Sequence, residues 1–278
     1  MKINFTKMHG CGNDYIYVDC RGGVPFDPVA AAVRLSERHF GVGADGLVLI
    51  EAAEDADAGM RMFNADGSEG GMCGNALRCV AKFLYERAGL EKTAMRIQTA
   101  DGIKRVTLEA QGGIAGYITV HMGPARFAPE EVPVLLPAPG VDTLVEVGGY
   151  REKITALSMG NPHCVIFCED PRRVDLHRIG PVFECAEIFP QRANIEFVSV
   201  TSPCELRMRV WERGSGETLA CGTGACAAAA AAICTGRVQA EGEIAVSLPG
   251  GTLYITSAPD GIYMRGPAEF VFDGAVQV

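Results

Sequence analysis

One segment of this chain occurs twice at a fixed offset, and that repetition constrains the fold more than any other feature. Arg61-Met-Phe-Asn-Ala-Asp-Gly-Ser-Glu-Gly-Gly-Met-Cys73-Gly-Asn75 lines up with Arg209-Val-Trp-Glu-Arg-Gly-Ser-Gly-Glu-Thr-Leu-Ala-Cys221-Gly-Thr223. The two cysteines are 148 residues apart (221 − 73), and the same shift carries Phe63 to Trp211, Glu69 to Glu217 and Gly12-Asn13 to Gly160-Asn161. A duplicated half follows. Two pseudo-symmetric halves would each offer one Cys-Gly at a helix start. A cleft between them would present two thiols to opposite faces of one small molecule, an arrangement suited to inverting a carbon centre.

A chain of 278 residues is long enough for two such halves, each burying its own core. A net charge of −9 argues against nucleic-acid and anionic-membrane partners, both of which demand clustered Lys and Arg. The expected partner is a small-molecule substrate. Met1-Lys-Ile-Asn-Phe-Thr-Lys-Met8 has no apolar signal core, and no run reaches the roughly 20 apolar residues of a membrane span, so a cytoplasmic location is expected. The 11 cysteines are then expected to be reduced, and none of their spacings is C-x-x-C, which removes support for a zinc knuckle or a dithiol redox pair.

Short apolar, β-branched stretches bounded by Gly, Pro and Asp predict strands at Tyr15–Val18, Leu47–Ile50, Met60–Phe63, Met95–Thr99, Lys104–Leu108 and Tyr117–His121. The second part repeats the plan at Thr143–Val147, Lys153–Leu157, Cys164–Phe167, Ile195–Val200, Leu206–Trp211, Glu243–Leu248 and Gly251–Ser257. Helices are predicted over Val29–Arg38, over Ala76–Ala88 with Gly89 as a stop, and over the alanine run Gly224–Gly236. The class is α/β of the α+β type. Five prolines between Pro124 and Pro139 suggest the crossing between halves, and the strand-like Phe270–Phe272 suggests a return to the first half. The expected domains are residues 1–122 with 266–278, carrying Cys73, and residues 123–265, carrying Cys221.

A cysteine at the first turn of a helix meets exposed N–H groups and the positive end of the helix dipole, both of which favour its thiolate. From a reference pKa near 8.5, modest tuning lets one of Cys73 and Cys221 take a proton while the other gives one. The other nine cysteines are assigned to inert packing. Gly74-Asn75 and Gly222-Thr223-Gly224, at the same helix starts, offer backbone amides to a carboxylate and would stabilise charge developing beside it. Asn13 and Asn161 sit in Gly-bounded loops where an amide can bond an ammonium or carboxylate, and His163 is placed to relay a proton from a sulfur. Glu212 and Arg213, nine and eight residues before Cys221, are placed to line the same site, with Arg213 gripping a carboxylate. Gly41-Val-Gly-Ala-Asp-Gly46 matches G-x-G-x-x-G, but a helix-like stretch precedes it and a strand-like one follows, the reverse of a dinucleotide fingerprint, so it is read as a loop.

Taken together, Lys7-Met-His-Gly-x-Gly-Asn-Asp14, Phe63-Asn-Ala-Asp-Gly-Ser-Glu69, Met72-Cys-Gly-Asn75, Gly160-Asn-Pro-His163, Asn194-x-Glu-Phe197 and Glu212-Arg-Gly-x-Gly-Glu-Thr-x-Ala-Cys-Gly-Thr-Gly224 resemble the diaminopimelate epimerase family, in order and from end to end. The resemblance implies two domains, each a mixed, mostly antiparallel sheet curled around a central helix. It also implies interconversion of LL- and meso-2,6-diaminopimelate without a cofactor, in lysine and peptidoglycan-precursor synthesis, and a homodimer. Carried over by position, Cys73 and Cys221 resemble the acid/base thiols, with His163 and Glu212 assisting. Asn13, Asn64, Asn161, Asn194, Glu212 and Arg213 match substrate-holding residues, with Arg213 on the distal carboxylate. Gly74, Asn75, Gly222 and Thr223 match the amides that hold the reacting carboxylate.

Two departures stand out. Gly46 replaces a Gln that contacts substrate in some members, so that contact is not transferred. Ala76 replaces a frequent Gly, narrowing the helix start without preventing amide donation. Proline racemases and hydroxyproline epimerases share the fold and paired thiols but usually place His after the first Cys-Gly, where this chain has Asn75. A thiol redox protein, with Cys73 and Cys221 in a reversible disulfide, is the reading from another functional class.

Overall fold

A computed structural model describes residues 1–239 and 241–278. The chain divides into two compact units, Met1–His121 with Arg265–Val278, and Met122–Met264. Among the described residues no helix is long and apolar enough to cross a membrane.

The first unit begins with β1 (Lys2–Gly10) and β2 (Asn13–Cys20), followed by α1 (Pro28–Ser36), β3 (Gly46–Glu51), β4 (Ala58–Asn64) and the short β5 (Glu69–Gly70). Then come α2 (Gly74–Glu86), β6 (Ala94–Thr99), β7 (Gly102–Gln111) and β8 (Ile114–Gly123). The second unit runs β9 (Thr143–Val147), β10 (Tyr150–Ser158), β11 (Pro162–Phe167), α3 (Leu176–Glu184), β12 (Asn194–Ser202), β13 (Glu205–Glu212), β14 (Gly216–Thr218), α4 (Gly222–Cys234), β15 (Glu243–Leu248), β16 (Gly251–Ala258) and β17 (Gly261–Gly266). The last strand, β18 (Glu269–Gln277), pairs antiparallel with β1 from Lys2↔Gln277 to His9↔Glu269.

The sheets are mixed and mostly antiparallel, and their few parallel joints recur. In the first unit β2 runs parallel to β3 and β4 to β6, while β1–β2, β3–β4, β6–β7 and β7–β8 are antiparallel. In the second, β11 runs parallel to β12 and β13 to β15, while β10–β11, β12–β13 and β15–β16 are antiparallel. Each unit has a further strand beside its first hairpin, and its source differs: β18, from far along the chain, lies beside β1, whereas β9, which directly precedes it, lies beside β10.

The helices repeat with the cysteines. Moved by 148 residues, Gly74–Glu86 falls on Gly222–Cys234 and Pro28–Ser36 on Leu176–Glu184. The central helices α2 and α4 are buried along almost their whole length. Each begins two residues earlier than the sequence pattern predicts because the cysteine itself serves as N-cap: its sulfur accepts the amide of the third residue on. Both also end earlier, and the predicted stops Gly89 and Gly236 do enter the left-handed region, at φ 71° and 67°. The first helix ends at Ser36 rather than Arg38, because the Glu37 carboxylate accepts the amides of His39 and Phe40 and turns the chain.

Among the elements longer than three residues, three depart from the sequence reading. Helix α3 was not expected, because Gly180-Pro181 interrupts its pattern. Gly180 is needed where it stands, since a Cβ there would lie 2.6 Å from the Trp211 ring. Strand β1 and strand β17 were also not expected, although Ile3, Phe5, Met8, Ile262 and Met264 are buried. The loop Glu37–Asp45, which contains most of the G-x-G-x-x-G match, lies between helix and strand, as its order in the sequence implied. It closes α1 through bonds from Val42 and Gly43 to the Leu35 carbonyl. The proline-rich stretch packs into the second unit, with Val132 and Val134 in its core.

Alanine is what allows α4 to pack closely against β10–β13, β15 and β16: Ala225 and Ala227–Ala232 are all buried. A larger residue has nowhere to go. Ala228→Leu is expected to lower stability by about 1–3 kcal/mol through overpacking, read as a lower midpoint in urea unfolding. A midpoint equal to that of the unsubstituted protein would contradict close packing around this helix.

Candidate active site

In the first unit the cysteine sits in a set of amides with fixed orientation. The Cys73 thiol donates to Asn13 Oδ1 at 3.3 Å, and Ala76 N donates to the sulfur at 3.5 Å, so the methyl at residue 76 leaves the cap bond in place. Asn13 is held by its other end, Nδ2 donating to Asp45 Oδ2 at 2.8 Å. That contact fixes which end of the amide faces the sulfur. Asn75 Nδ2 shares the same Asn13 oxygen at 3.3 Å, while Asn75 Oδ1 accepts from Arg78 at 2.9 Å. Arg78 is fully buried and also donates to the Pro267 carbonyl, tying the start of α2 to the segment before β18.

Asp45 is in turn engaged by Arg38 at 2.9 Å, and Lys7 pairs with Asp14. Burial, with the neighbouring Asp14 charge, pushes the Asp45 carboxyl up, whereas Lys7 and Arg38 outweigh burial and hold Asp14 below the usual range. Asn64, at the end of β4, is exposed and bonded within its own turn, Nδ2 to Ser68 Oγ at 2.9 Å. Gly46 lies opposite it in register, where a Cβ would come 2.1 Å from the Phe63 carbonyl oxygen, so this backbone admits only glycine.

The second unit has the same scaffold and different charges. The Cys221 sulfur accepts from Gly224 N at 3.3 Å and lies 3.5 Å from Thr223 Oγ1. Asn161, the counterpart of Asn13, donates from Nδ2 to Thr223 Oγ1 at 3.4 Å and turns Oδ1 to His163 Nε2 at 3.0 Å. His163 Nδ1 faces Glu196 Oε1 at 2.7 Å, with both side chains fully buried. The ring therefore has both nitrogens engaged away from the sulfur. The expected direct relay between His163 and Cys221 is absent from this arrangement, and the group bonded to the thiol is Glu212, which also accepts from Thr218.

Electrostatics overturn one expectation. The cap and dipole do favour a thiolate at Cys221, through the Gly224 amide and the Thr223 hydroxyl, but they lose. Burial first, then the charges of Glu212 and Glu196, push the thiol well above its ordinary value. Burial likewise pushes Glu212 up, against the hydrogen bonds from Thr218 and the Cys221 thiol. A buried thiol next to a buried carboxyl keeps its proton. The offset of 148 residues shows that this is not shared: Glu212, Glu196 and His163 fall on Asn64, Val48 and Tyr15.

Arg213 follows Glu212 in the turn after β13. Its amide donates to Asn194 Oδ1 at 3.0 Å, its Nη1 to the Gln191 carbonyl at 3.1 Å, and Asn194 Nδ2 reaches the Pro162 carbonyl at 2.9 Å. Asn194 thus holds the turn from within β12. Glu184 on α3 adds to it, accepting from Gly214 N and Trp211 Nε1 at 2.9 and 2.7 Å. Gly74 with Asn75, and Gly222 with Thr223, open α2 and α4, where the first amides have no partner within their own helix.

Asp45, Arg78, Glu184 and Glu196 were missed by reasoning from sequence. Glu196 had a signal: it is the one charged residue in Asn194-Ile-Glu-Phe197, inside a strand whose neighbours are all apolar or buried.

The fold of these two like units is a known architecture. A solved structure of a phenazine biosynthesis protein of the PhzF family from Bacillus anthracis matches with a TM-score of 0.70 at 20% identity, over 100% of both chains. A hydroxyproline epimerase from Agrobacterium vitis matches at 0.69 and 16%, over 99% of this chain and 91% of that one. The class is therefore the two-domain fold that these proteins share. Within it, the profile of the diaminopimelate epimerase family matches residues 5–128 and 155–271. A relative from Pelotomaculum thermopropionicum named diaminopimelate epimerase is 48% identical over 98% of each chain. The chain belongs to the diaminopimelate epimerase family.

Because Glu212 raises the Cys221 thiol, Glu212→Gln removes a negative charge that opposes ionisation, and the pH at which Cys221 becomes a thiolate is expected to fall. Mass-resolved alkylation of the Cys221 peptide as a function of pH measures this. An unchanged or higher transition would contradict the assignment.

Proposed function

We infer that this protein interconverts LL- and meso-2,6-diaminopimelate by moving one α-proton, with one thiol from each unit. The observation that carries the reading is the pair of helix-capping cysteines in a chain 48% identical over nearly its whole length to a relative of that name.

In the proposed step a Cys73 thiolate takes the α-proton, the electron pair stays on the α-carbon, and the Cys221 thiol delivers its own proton to the opposite face. Configuration inverts, nothing is oxidised or reduced, and the sulfurs exchange charge states. Inversion requires the two faces, since a single base returns the proton to the side it came from. Cys221 suits the donor role because burial, Glu212 and Glu196 hold its proton in place, while the equivalents of those carboxylates in the other unit are Asn64 and Val48. The opening amides Gly74-Asn75 and Gly222-Thr223 suit the carboxylate beside the reacting carbon, where negative charge develops. Arg213, with Asn194 holding its turn, suits the distal carboxylate, and Asn13, Asn64 and Asn161 the remaining polar groups of the substrate. The same reading carries a cytoplasmic homodimer that needs no added cofactor.

Incubation with LL-diaminopimelate in heavy water is expected to yield the meso isomer with deuterium at the inverted carbon. Cys73→Ala and Cys221→Ala are each expected to lose about 10²–10⁴-fold in turnover while remaining folded. Undiminished epimerisation by either variant, or product without deuterium, would refute the two-thiol reading.

A further inference from the structure

Glu196 is a carboxylate that the fold does not require. Its counterpart in the first unit, at the same place in the register, is Val48, equally buried. Only one of its oxygens is used: Oε1 meets His163 Nδ1, while Oε2 is buried with no hydrogen-bond partner among the described residues. Such a group costs stability and is retained for some other reason. Room has been made for it as well. A Cβ on Gly224 would lie 2.8 Å from Glu196 Oε1, whereas the matching position of the first unit is Ala76.

From Glu196 a continuous run of polar contacts reaches the reacting sulfur: Oε1 to His163 Nδ1 at 2.7 Å, His163 Nε2 to Asn161 Oδ1 at 3.0 Å, Asn161 Nδ2 to Thr223 Oγ1 at 3.4 Å, and Thr223 Oγ1 to Cys221 Sγ at 3.5 Å. We propose that Glu196 is a positioning residue for the reaction: through His163 and Asn161 its carboxylate sets the direction in which the Thr223 hydroxyl hydrogen faces the Cys221 sulfur. The inference rests on the epimerase reading given above.

Two arrangements satisfy every member of the run. With a Cys221 thiolate, Thr223 donates to sulfur, Asn161 Nδ2 donates to Thr223, and Asn161 Oδ1 accepts from a protonated His163 Nε2. With a Cys221 thiol, whose hydrogen goes to Glu212, the Thr223 hydroxyl turns from the sulfur and donates to Asn161 Oδ1, and the turned amide donates to a bare Nε2. The amide and hydroxyl only reorient and carry no proton along the run, so the proton by which the two arrangements differ at Nε2 is taken from bulk water when the sulfur becomes a thiolate and returned to it when the thiol re-forms. Common to both is a proton on Nδ1, which the Glu196 carboxylate, an acceptor only, enforces. Only then is Nε2 left to answer the state of the sulfur. The other titratable groups facing this cluster are Glu212 on β13 and Cys164 on β11, and neither contacts the His163 nitrogens.

Glutamine at this position presents either an oxygen or an NH₂ to Nδ1 and ceases to enforce the tautomer. ¹⁵N NMR of histidine-labelled protein is expected to show His163 Nδ1 protonated in the wild type and in Thr223→Val, and a shift toward Nε2 protonation in Glu196→Gln. Glu196→Gln and Thr223→Val are each expected to lower kcat about tenfold, the worth of one charge-assisted hydrogen bond, with KM within about twofold. Because both act through one run, the double variant is expected to be no slower than the slower single one, and Thr223→Ser is expected to recover most of the rate.

An unchanged His163 spectrum in Glu196→Gln, multiplying losses in the double variant, or Thr223→Ser as slow as Thr223→Val would each overturn the proposal. If Glu196→Gln does not fold, the Thr223→Val and Thr223→Ser pair decides. The spectrum needs no turnover, so a wild-type protein that left diaminopimelate unchanged would count against the epimerase reading and leave the His163 result to judge this one.

Discussion

Both central helices begin at a sulfur that accepts an amide of the turn it caps, and the rest of each unit is arranged around that bond. A cysteine N-cap is a poor substitute for Ser or Asp as a helix start, because sulfur accepts weakly. Its presence at both starts places a proton-carrying atom at the positive end of a buried helix, with two opening amides beside it. Everything that fixes the helix therefore fixes the thiol: the alanine-lined passage of α4, buried Arg78 on α2, and the asparagines of β2 and of the loop before β11 that reach back to the cap.

Duplication supplies the geometry, and divergence supplies the chemistry. Helices, caps and the β2–β3 joint recur at one offset, yet Glu212, Glu196 and His163 stand where the first unit has Asn64, Val48 and Tyr15. Two identical thiols would share one affinity for a proton. Around Cys221 burial and carboxylates hold the thiol's proton, and the orienting device differs between the units too: Asp45 fixes the Asn13 amide, while His163 meets that of Asn161.

Much of this was legible in the sequence because strand alternation and the repeated Cys-Gly are local signals. The strands at Leu47–Ile50, Met95–Thr99, Thr143–Val147 and Glu243–Leu248 were readable because each is a compact apolar run between turn residues. Helix α3 was hidden by Gly180-Pro181, although the offset applied to Pro28–Ser36 points straight to it. Charge balance at Cys221 was not readable, since the helix-start effect visible in sequence is opposed by a burial that only tertiary packing creates. Asp45 and Arg78 escaped for the same reason: their partners, Asn13 and Pro267, lie far away in the chain.

The pairing of β18 with β1 bears on how the molecule is made. All of Met122–Met264 is contiguous and needs no strand from elsewhere to close it, but the unit containing Cys73 closes only when Glu269–Gln277, which follow the whole of the contiguous unit in the chain, return to β1. Until then the backbone of β1 has an open edge, ready to pair with whatever strand it meets. A change that weakens the pairing of β18 with β1 would therefore unsettle the unit that carries Cys73, from a position far away in the chain, and leave the contiguous unit its own strands.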